Sequence, residues 1–160
     1  MRIYAWQVFQ NKPVGWDYVD KDRHPFSFAL MEGEVLISHA EVNWRVLEHA
    51  SESYVTYGLS AVFTYPQFRG QGGGHQVVEA ATNHILSSDA DAAMLGCKPE
   101  LIEFYRANGW SPMRDMQILY GPKEAPTRGG NVMMLFVSEK GKQGRPAFEC
   151  EPVYVGAYMW

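Results

Sequence analysis

Two different patterns of hydrophobic residues follow one another near the middle of the chain. Residues 57–64 (YGLSAVFT) are mostly apolar and predict a largely buried strand. Residues 75–86 instead carry apolar side chains at helical spacing, namely Val77, Val78, Ala81, Ile85 and Leu86. Four glycines within five residues, at positions 70 and 72–74, separate the two segments. The pattern therefore predicts a strand, a glycine turn and a helix in direct succession.

Apolar segments elsewhere in the chain predict further strands. Residues 26–31 and 35–42 flank the sequence EGE, which predicts a β-hairpin. The charged residues 43–53 are expected to connect this hairpin to the central strand. After the helix, residues 92–97 (AAMLGC) form a short apolar run of the kind found in buried parallel strands. This strand is expected to lie beside the central one.

The second half of the chain predicts one more helix and two more strands. Pro99 can open a helix, because its missing N–H is not needed at that position. Asn108 and Gly109 supply a left-handed stop. The apolar face of this helix would be formed by Leu101, Ile102, Phe104 and Tyr105. Residues 116–120 and 132–137 predict the two strands.

The order of these elements indicates the fold class. A strand–helix–strand–helix centre implies locally parallel pairing, whereas the hairpin is antiparallel. The expected fold is α+β, with a mixed central sheet flanked by helices. Residues 1–9 alternate enough for a strand or a short helix, and the aromatic-rich residues 148–160 are expected to pack. With 160 residues and 18.1 kDa, residues 1–160 are expected to form a single domain.

Composition narrows the classes of partner. Hydrophobic residues make up 46% of the chain, which excludes general disorder. A net charge of -4 argues against nucleic acid and is compatible with a cationic small molecule. Cys97 and Cys150 form neither a CxxC pair nor a metal-ligand cluster, so we expect no metal and two free thiols in a reducing cytoplasm. The sequence contains neither an apolar stretch of about 18 residues nor a signal-peptide pattern, so no membrane partner is expected.

The glycine turn is a candidate anion site. Glycines let the backbone approach a ligand closely, and the first N–H groups of the following helix point out of its positive end. A Walker loop would require Gly-Lys-Ser/Thr where this chain has Gly74-His75-Gln76. A dinucleotide fingerprint would require a third glycine at the position of His75. A flexible turn that binds nothing is the remaining alternative.

The spacing Arg69-x-x-Gly72-x-Gly74 resembles the coenzyme A pyrophosphate loop of the GCN5-related N-acetyltransferases (GNAT). The resemblance implies the GNAT fold, in which a parallel strand pair splays apart, and acetyl-CoA as the co-substrate. It implies that the coenzyme is held by Arg69, Gly70, Gln71, Gly72, Gly73, Gly74 and His75. It also implies that backbone groups of Val62, Phe63 and Thr64 bond the pantetheine arm, with the Val62 N–H facing the acetyl oxygen.

Acyl transfer from a thioester to an amine needs a base, a donor to the carbonyl oxygen and an acid for the leaving thiolate. The segment FYRANGW (residues 104–110) resembles the GNAT motif that carries the general acid, which would be Tyr105. The spacing of Tyr105 to Leu101 and Ile102 would also suit a core aromatic residue. No cysteine or serine has a nucleophile–base pattern, so direct transfer in a ternary complex is expected.

A closer resemblance runs from about residue 28 to the end of the chain. The segments VLISHAEV, YPQFRG, FYRANGWSP and PTR and the final Trp160 are similar to the aminoglycoside 2'-N-acetyltransferases. This similarity implies an aminoglycoside acceptor near Ser60 and Ala61, with the terminal carboxylate of Trp160 in its pocket. That carboxylate would be ionised at neutral pH. Asp17, in a polar loop with aromatic residues, is a further candidate ligand of a cationic substrate.

Three features depart from that family. Ser60 replaces a strand glutamate that assists deprotonation, the sequence GGN (129–131) replaces an acidic run, and the N-terminus is shorter. Glu41 is the candidate replacement base, acting directly or through water, and Ser60 could hold a water that carries the proton away. His39, Glu149 and Glu151 are further candidates for the missing base or charge.

The expected function is therefore an acetyl-CoA-dependent N-acetyltransferase for a small cationic amine. An aminoglycoside is the leading acceptor, which would imply a role in antibiotic resistance. One alternative is an acyl-CoA sensor without catalysis, which the loss of glutamate at position 60 favours. Another is a nodulation-type N-acyltransferase acting on an amino sugar, because those enzymes share the Pro-Thr-Arg loop. A cytoplasmic homodimer is expected.

Overall fold

The structure, a computed structural model, describes residues 25–159 and contains two β-sheets and three α-helices within that range. The strands are β1 (Phe26–Glu32), β2 (Val35–His49), β3 (Glu52–Thr64), β4 (Ala92–Cys97), β5 (Ser111–Met113), β6 (Ile118–Tyr120), β7 (Thr127–Arg128), β8 (Asn131–Phe136) and β9 (Val153–Tyr154). The helices are α1 (Gly73–Leu86), α2 (Ile102–Ala107) and α3 (Glu139–Cys150), and short 3-10 turns span Pro66–Phe68 and Pro99–Leu101. The larger sheet has the order β1-β2-β3-β4-β8-β5, and the smaller one has the order β7-β6-β9. None of the helices in the described part of the chain has the length and apolar character needed to span a membrane.

A long antiparallel hairpin formed by β2 and β3 is the main scaffold. Its register runs from Ser38 opposite Thr64 to His49 opposite Glu52. The expectation that residues 43–53 form a connection is therefore wrong, because β2 continues to His49 and only Ala50 and Ser51 form the turn. Buried and exposed positions alternate in this stretch, as in any half-buried strand, but two of its buried residues are polar.

The parallel pair β3 and β4 separates after a short contact. Pairing covers Thr56 to Gly58 on β3 and Ala92 to Met94 on β4. Beyond Gly58, β3 stays with β2 as far as Thr64, whereas β4 stays with β8 as far as Cys97. The sheet therefore opens into a V between these two strands. This is the splayed parallel pair that the sequence predicts.

A bulge lies in β3 after the strand has left β4 at Gly58. His39 pairs with Phe63 and Glu41 with Ser60, so Ala61 and Val62 together face the single residue Ala40. Ala61 has a φ of +47°, which L residues seldom adopt. A bulge bends its strand and increases the local twist. The bend lies in the part of β3 that no longer pairs with β4.

Two cores cover the two faces of the large sheet. Helices α1 and α2 pack on one face against residues that include Ala40, Val42, Leu59, Leu95 and Leu135. Helix α3 and the small sheet pack on the other face, against residues that include Leu47, Met94 and Met134. The packing of the predicted aromatic-rich tail begins with Phe148, which is fully buried beside His49, Tyr54 and Phe136.

Helix α3 has no counterpart in the elements predicted from the sequence. It contains Gly141, Gly144 and Pro146, which ordinarily disfavour a helix interior. The packing explains the glycines, because a Cβ at Gly141 would overlap the carbonyl group of Asp91 and one at Gly144 would overlap the Tyr54 side chain. Ser138 caps the helix by accepting a hydrogen bond from the Gly141 N–H at 3.0 Å.

Candidate active site

The glycine turn leads into α1 as predicted. Gly70 and Gly72 have φ values of +77° and +81°, a region that favours glycine. Gly73 is the first residue of α1, and a Cβ built there would lie 2.9 Å from Ser38 Oγ and 3.1 Å from Leu30 Cδ2. The turn therefore needs glycine for its backbone conformation at two positions and for close packing on β1 and β2 at a third.

A cleft of about 510 Å³ lies at the N-terminus of α1. Its walls are formed by Thr64, Phe68, Arg69, Gly70, Gly72, Gly73, Gly74, His75 and Phe104. The first hydrogen bond at this end runs from the Gln76 N–H to the Gly72 carbonyl at 3.2 Å, so the preceding N–H groups have no partner within the helix. Arg69 adds a cationic side chain and donates from Nε to the Thr64 carbonyl at 3.1 Å. The cleft is thus suited to an anion such as a pyrophosphate.

Seven of the ten predicted coenzyme residues line this cleft, whereas Val62, Phe63 and Gln71 do not. Arg69, Gly70, Gly72, Gly73, Gly74 and His75 line it, and so does Thr64 from the end of β3. Gln71 is exposed and does not line the cleft. Glycine at position 74 leaves room for a ligand, because a Cβ there would lie 3.2 Å from Thr64 Oγ1 and 3.6 Å from Phe104 Cζ.

His75 is held in place by a residue that the sequence indicates only as a helix stop. Asn108 Nδ2 lies 2.9 Å from His75 Nδ1 and also donates to the Phe104 carbonyl at 2.8 Å. The amide nitrogen is a donor, so Nδ1 of His75 accepts and Nε2 carries the proton. A second cleft of about 500 Å³ lies beyond the ring, and His75 and Asn108 are among its lining residues. His75 therefore separates two adjoining clefts.

The end of β3 supplies the predicted pantetheine-binding segment. Thr64 Oγ1 bonds Ser38 Oγ at 2.7 Å, and Val62 packs against the core under α1. The side chain of Phe63 is buried and stacks on His39, with ring centroids 5.2 Å apart. Only the backbone of Phe63 is therefore available to a ligand. His39 Nδ1 donates to the Ala61 carbonyl at 3.0 Å, which ties the bulge to β2.

The surroundings of His39 are those of a residue that supports the fold. It is fully buried, and burial lowers the pKa of its imidazole, a shift only partly offset by the hydrogen bond to Ala61. The ring is consequently neutral at pH 7, with its Nδ1 proton engaged by a carbonyl group. These observations support a structural role and not that of the missing base.

Tyr105 lies on α2 and is buried beside the end of β4. Its ring packs edge-to-face on Phe104, with centroids 5.0 Å apart. Burial, followed by the proximity of Cys97, raises the pKa of the Tyr105 hydroxyl to about 12. The pKa of the Cys97 thiol is also raised, by burial and then by Glu100. Both groups are uncharged at neutral pH, so Tyr105 can donate a proton and Cys97 is a poor nucleophile.

Glu41 and Ser60 are direct partners across the β2–β3 pair. Glu41 is 3% exposed, while Ser60 and Ala61 are half-buried at the bulge. Asn43, which is 2% exposed, donates from Nδ2 to Ser60 Oγ at 3.4 Å. Sequence reasoning did not single out Asn43, although a polar residue at an inward position of a strand is the signal that could have identified it.

The remaining predicted residues are placed as follows. Asp17 and Trp160 lie outside the described residues. Glu149 pairs with Arg145 at 2.7 Å on α3, and Glu151 is exposed just after that helix. Neither glutamate lines the cleft at α1. Among residues 25–159, no group of three or more His, Cys, Asp or Glu side chains is arranged to hold a metal ion.

The tail approaches the V from the side opposite α1. The guanidinium of Arg45 donates to the carbonyl oxygens of Val155 and Tyr158. Farther along, a Cβ at Gly96 would overlap the side chain of Met159, so the tail crosses β4 at that glycine. The last described residues therefore lie beside β2 and the end of β4.

Comparisons with known proteins support the fold. No family model matches the chain, and no curated protein matches it. Escherichia coli ElaA has a similar structure, with a TM-score of 0.57 and 20% identity over 81% of this chain and 83% of ElaA. An Enterococcus faecalis V583 protein described as a probable N-acyltransferase has a TM-score of 0.55 and 19% identity over 68% of this chain. Eis1 from Mycobacterium abscessus has a TM-score of 0.53 and 16% identity over 67% of this chain.

The chain spans only 28% of the Enterococcus protein and 26% of Eis1. At these identities the similarity concerns the fold alone. The α+β fold, with a mixed sheet, a splayed parallel pair and flanking helices, is confirmed as the GNAT fold that the sequence predicts.

Proposed function

We propose that the protein is an acetyl-CoA-dependent N-acetyltransferase that acts on a small cationic amine by direct transfer in a ternary complex. The observation that carries this proposal is the position of the glycine turn. It lines a cleft at the N-terminus of α1, and Thr64 at the end of the separated strand β3 lines the same cleft. The anionic part of a long ligand could bind the turn while the rest of the ligand extends along β3.

The coenzyme would be held mainly by backbone groups. The N–H groups at the start of α1 and the cationic side chain of Arg69 lie at the cleft, where they would provide hydrogen-bond donors and positive charge for the pyrophosphate. Beyond Gly58, β3 makes no pairing with β4 in the described residues, so backbone groups of Val62, Phe63 and Thr64 can bond the pantetheine arm. The Val62 N–H is the proposed donor to the acetyl oxygen, where removing a donor typically costs roughly 3–4 kcal/mol of barrier.

Tyr105 is the proposed general acid. Because its raised pKa of about 12 keeps it protonated at neutral pH, it can give its proton to the departing thiolate of the coenzyme. Cys97 is the cysteine nearest to this site in the described structure, and its raised pKa opposes an acyl-enzyme intermediate. Direct attack by the acceptor amine is therefore the simpler route.

The acceptor is proposed to be an aminoglycoside or a related amino sugar, on the strength of the sequence resemblance. The net charge of -4 is compatible with a cationic substrate. Trp160, whose position lies outside the described residues, is proposed to place its terminal carboxylate in the acceptor pocket. The packing of Met159 on Gly96, near the end of β4, supports this, because Met159 directly precedes Trp160.

The proposal is tested by incubating the full chain with acetyl-CoA and a panel of aminoglycosides, amino sugars and polyamines. We expect release of free thiol together with a gain of one acetyl group in the mass of at least one amine. Coenzyme binding without turnover on any amine would instead favour a non-catalytic sensor. A strong preference for long-chain acyl-CoA over acetyl-CoA would favour a nodulation-type N-acyltransferase.

A further inference from the structure

Asn108 fixes both the orientation and the tautomer of the His75 ring. Its Nδ2 atom donates to the Phe104 carbonyl oxygen at 2.8 Å and lies 2.9 Å from His75 Nδ1. A carbonyl oxygen can only accept, so the Asn108 atom that lies between the two groups is the amide nitrogen. Its two N–H bonds are used by Phe104 and His75. His75 Nδ1 therefore accepts, and the proton of the neutral ring is on Nε2.

Packing also restrains the His75 ring. His75 is the third residue of α1, and its ring centroid lies 4.6 Å from that of Phe104 on α2. Asn108 directly follows α2. Two contacts from the second helix thus hold a ring that belongs to the first. A side chain that is already held loses little conformational entropy when a ligand binds to it.

Charge indicates which side of His75 suits an anion. Arg69 lines the cleft of about 510 Å³, and none of the described lining residues of that cleft is acidic. The adjoining cleft of about 500 Å³ is lined by Glu79, one helical turn beyond His75. An anion is therefore favoured in the first cleft and disfavoured in the second.

The Nε2 edge of the ring is directed away from Asn108. The two nitrogens of an imidazole lie on different edges of the ring, and Nδ1 faces the Asn108 amide. Asn108 lines the second cleft but not the first, whereas His75 lines both. The Nε2–H group is consequently available to a ligand in the first cleft.

We infer that His75 donates a hydrogen bond from Nε2 to the diphosphate of the coenzyme, and that Asn108 is a positioning residue that keeps the proton on that nitrogen. This inference rests on the proposed function and adds a side-chain donor to the backbone donors of the glycine turn. The ligand class that the pair recognises is a nucleoside diphosphate. A hydrogen bond to an ionised acceptor is roughly twice as strong as one between neutral groups, so its loss is measurable.

Calorimetry of the full chain with acetyl-CoA measures the contribution of the pair. It is carried out at about pH 8.5, where histidine side chains are in general neutral. His75→Phe keeps an aromatic ring beside Phe104 but has no donor, and it should weaken binding by at least about tenfold. His75→Gln offers an amide donor near the Nε2 position and should bind within about threefold of wild type. Asn108→Ala should weaken binding by about threefold or more, because the ring is no longer held.

A double variant shows whether Asn108 acts through His75. His75→Phe combined with Asn108→Ala should bind acetyl-CoA no more weakly than His75→Phe alone. Asn83→Ala is the matched control, since Asn83 is an exposed asparagine that lines only the second of the two clefts, and it should leave the affinity unchanged. Chemical unfolding of each variant shows that it is folded.

NMR spectroscopy of protein with isotope-labelled histidines reads the tautomer directly. The His75 signals are identified by their absence from His75→Gln. We expect a protonated Nε2 and an unprotonated Nδ1 in the free protein and in its acetyl-CoA complex, and a mixture of both tautomers in free Asn108→Ala. If Asn108 served only to end α2, its removal would leave the tautomer of His75 unchanged.

ADP identifies the part of the coenzyme that His75 contacts. It carries adenosine and a diphosphate but lacks the pantetheine arm. His75→Phe should therefore weaken the binding of ADP and of acetyl-CoA by the same factor. A loss confined to acetyl-CoA would place the contact on the pantetheine arm and overturn the inference.

The remaining outcomes separate the inference from the proposed function. If the wild-type protein does not bind acetyl-CoA, the proposed function fails and the role of the pair fails with it. If acetyl-CoA is bound but His75→Phe binds it equally well, the role of the pair is overturned while the proposed function stands. The same conclusion follows if the two losses add in the double variant, or if Nδ1 carries a proton in the wild-type protein or its complex.

Discussion

His39 donates a hydrogen bond from Nδ1 to the carbonyl oxygen of Ala61, 3.0 Å away, across the bulge of β3. Ala61 has a φ of +47°, so this contact holds a backbone conformation that alanine seldom adopts. The bulge lies in the part of β3 that no longer pairs with β4. The proposed coenzyme-binding segment is therefore tied through this bulge to a buried histidine.

The first prediction concerns the effect of His39 on stability at acid pH. Burial lowers its pKa in the folded state below the ordinary value of 6.5. The unfolded chain therefore binds more protons as pH falls below about 6.5, and the free energy of unfolding decreases by up to about 1.4 kcal/mol per pH unit from this group. His39→Asn keeps a donor for Ala61 and removes the titration, so its stability should fall less between pH 7 and pH 5.5.

Urea unfolding of both proteins at the two pH values measures this difference. His39→Leu, which lacks the donor as well, should be less stable than His39→Asn at pH 7, by about 1 kcal/mol for the lost hydrogen bond. Identical pH dependence in wild type and His39→Asn would contradict the account of His39.

The second prediction concerns the contact of α1 with β1 and β2. Gly73→Ala would place a Cβ 2.9 Å from Ser38 Oγ and 3.1 Å from Leu30 Cδ2. Although alanine favours helices by about 1 kcal/mol, overpacking typically costs about 1–3 kcal/mol, so a net loss of stability is expected. Gly130→Ala serves as a control, since its Cβ would meet no atom within 4 Å. Chemical unfolding of the two variants decides between these effects, and a more stable Gly73→Ala protein would show that the packing is looser than described.

The third prediction concerns Tyr105. Tyr105→Phe should lower turnover by roughly 10²-fold or more, because the hydroxyl proton is the one proposed for the thiolate. Acetyl-CoA affinity should change little, since phenylalanine keeps the packing on Phe104. Tyr57→Phe is the matched control, because that hydroxyl bonds Asp89 at 3.0 Å, away from the cleft. An unchanged rate for Tyr105→Phe would remove Tyr105 from the role of general acid.

The fourth prediction concerns the C-terminal residue. Deleting Trp160 should raise KM for the acceptor while the calorimetric affinity for acetyl-CoA stays the same, because its carboxylate is proposed to lie in the acceptor pocket. Adding one glycine after Trp160 keeps the indole but moves the carboxylate, so it should also weaken the binding of the acceptor. If deletion weakened the binding of the acceptor and of the coenzyme equally, the proposed role of Trp160 would be contradicted.

Much of the fold can be predicted from the sequence because the spacing of apolar side chains indicates its strands and helices. The run at 57–64, the helical spacing at 75–86 and the glycines between them correspond to β3, the turn and α1. The continuation of β2 was not predicted, because its inward positions include Asn43 and His49, and a hydrophobic pattern does not register buried polar residues. The positive φ of Ala61 has no sequence signal, since alanine is not a residue associated with that conformation.

Neither helix α3 nor the pairing of Glu41 with Ser60 was predicted, for a different physical reason. Gly141 and Gly144 oppose a helix by local propensity, yet the close approach of Asp91 and Tyr54 requires them. Glu41 and Ser60 lie far apart in sequence, and only the register of the long hairpin makes them partners. Tertiary pairing of this kind is not encoded in local spacing.

The central claim, that the glycine turn binds the pyrophosphate of coenzyme A, is tested most directly by calorimetry on two variants of Gly70. A side chain at this position meets no atom within 4 Å, and both Asn and Asp tolerate the φ of +77°. We predict that wild type binds acetyl-CoA and that Gly70→Asp binds it at least about tenfold more weakly than Gly70→Asn, a difference that shrinks at high salt because it arises from charge repulsion. Absence of binding by the wild-type protein, or equal affinity of the two variants at low salt, would contradict the claim.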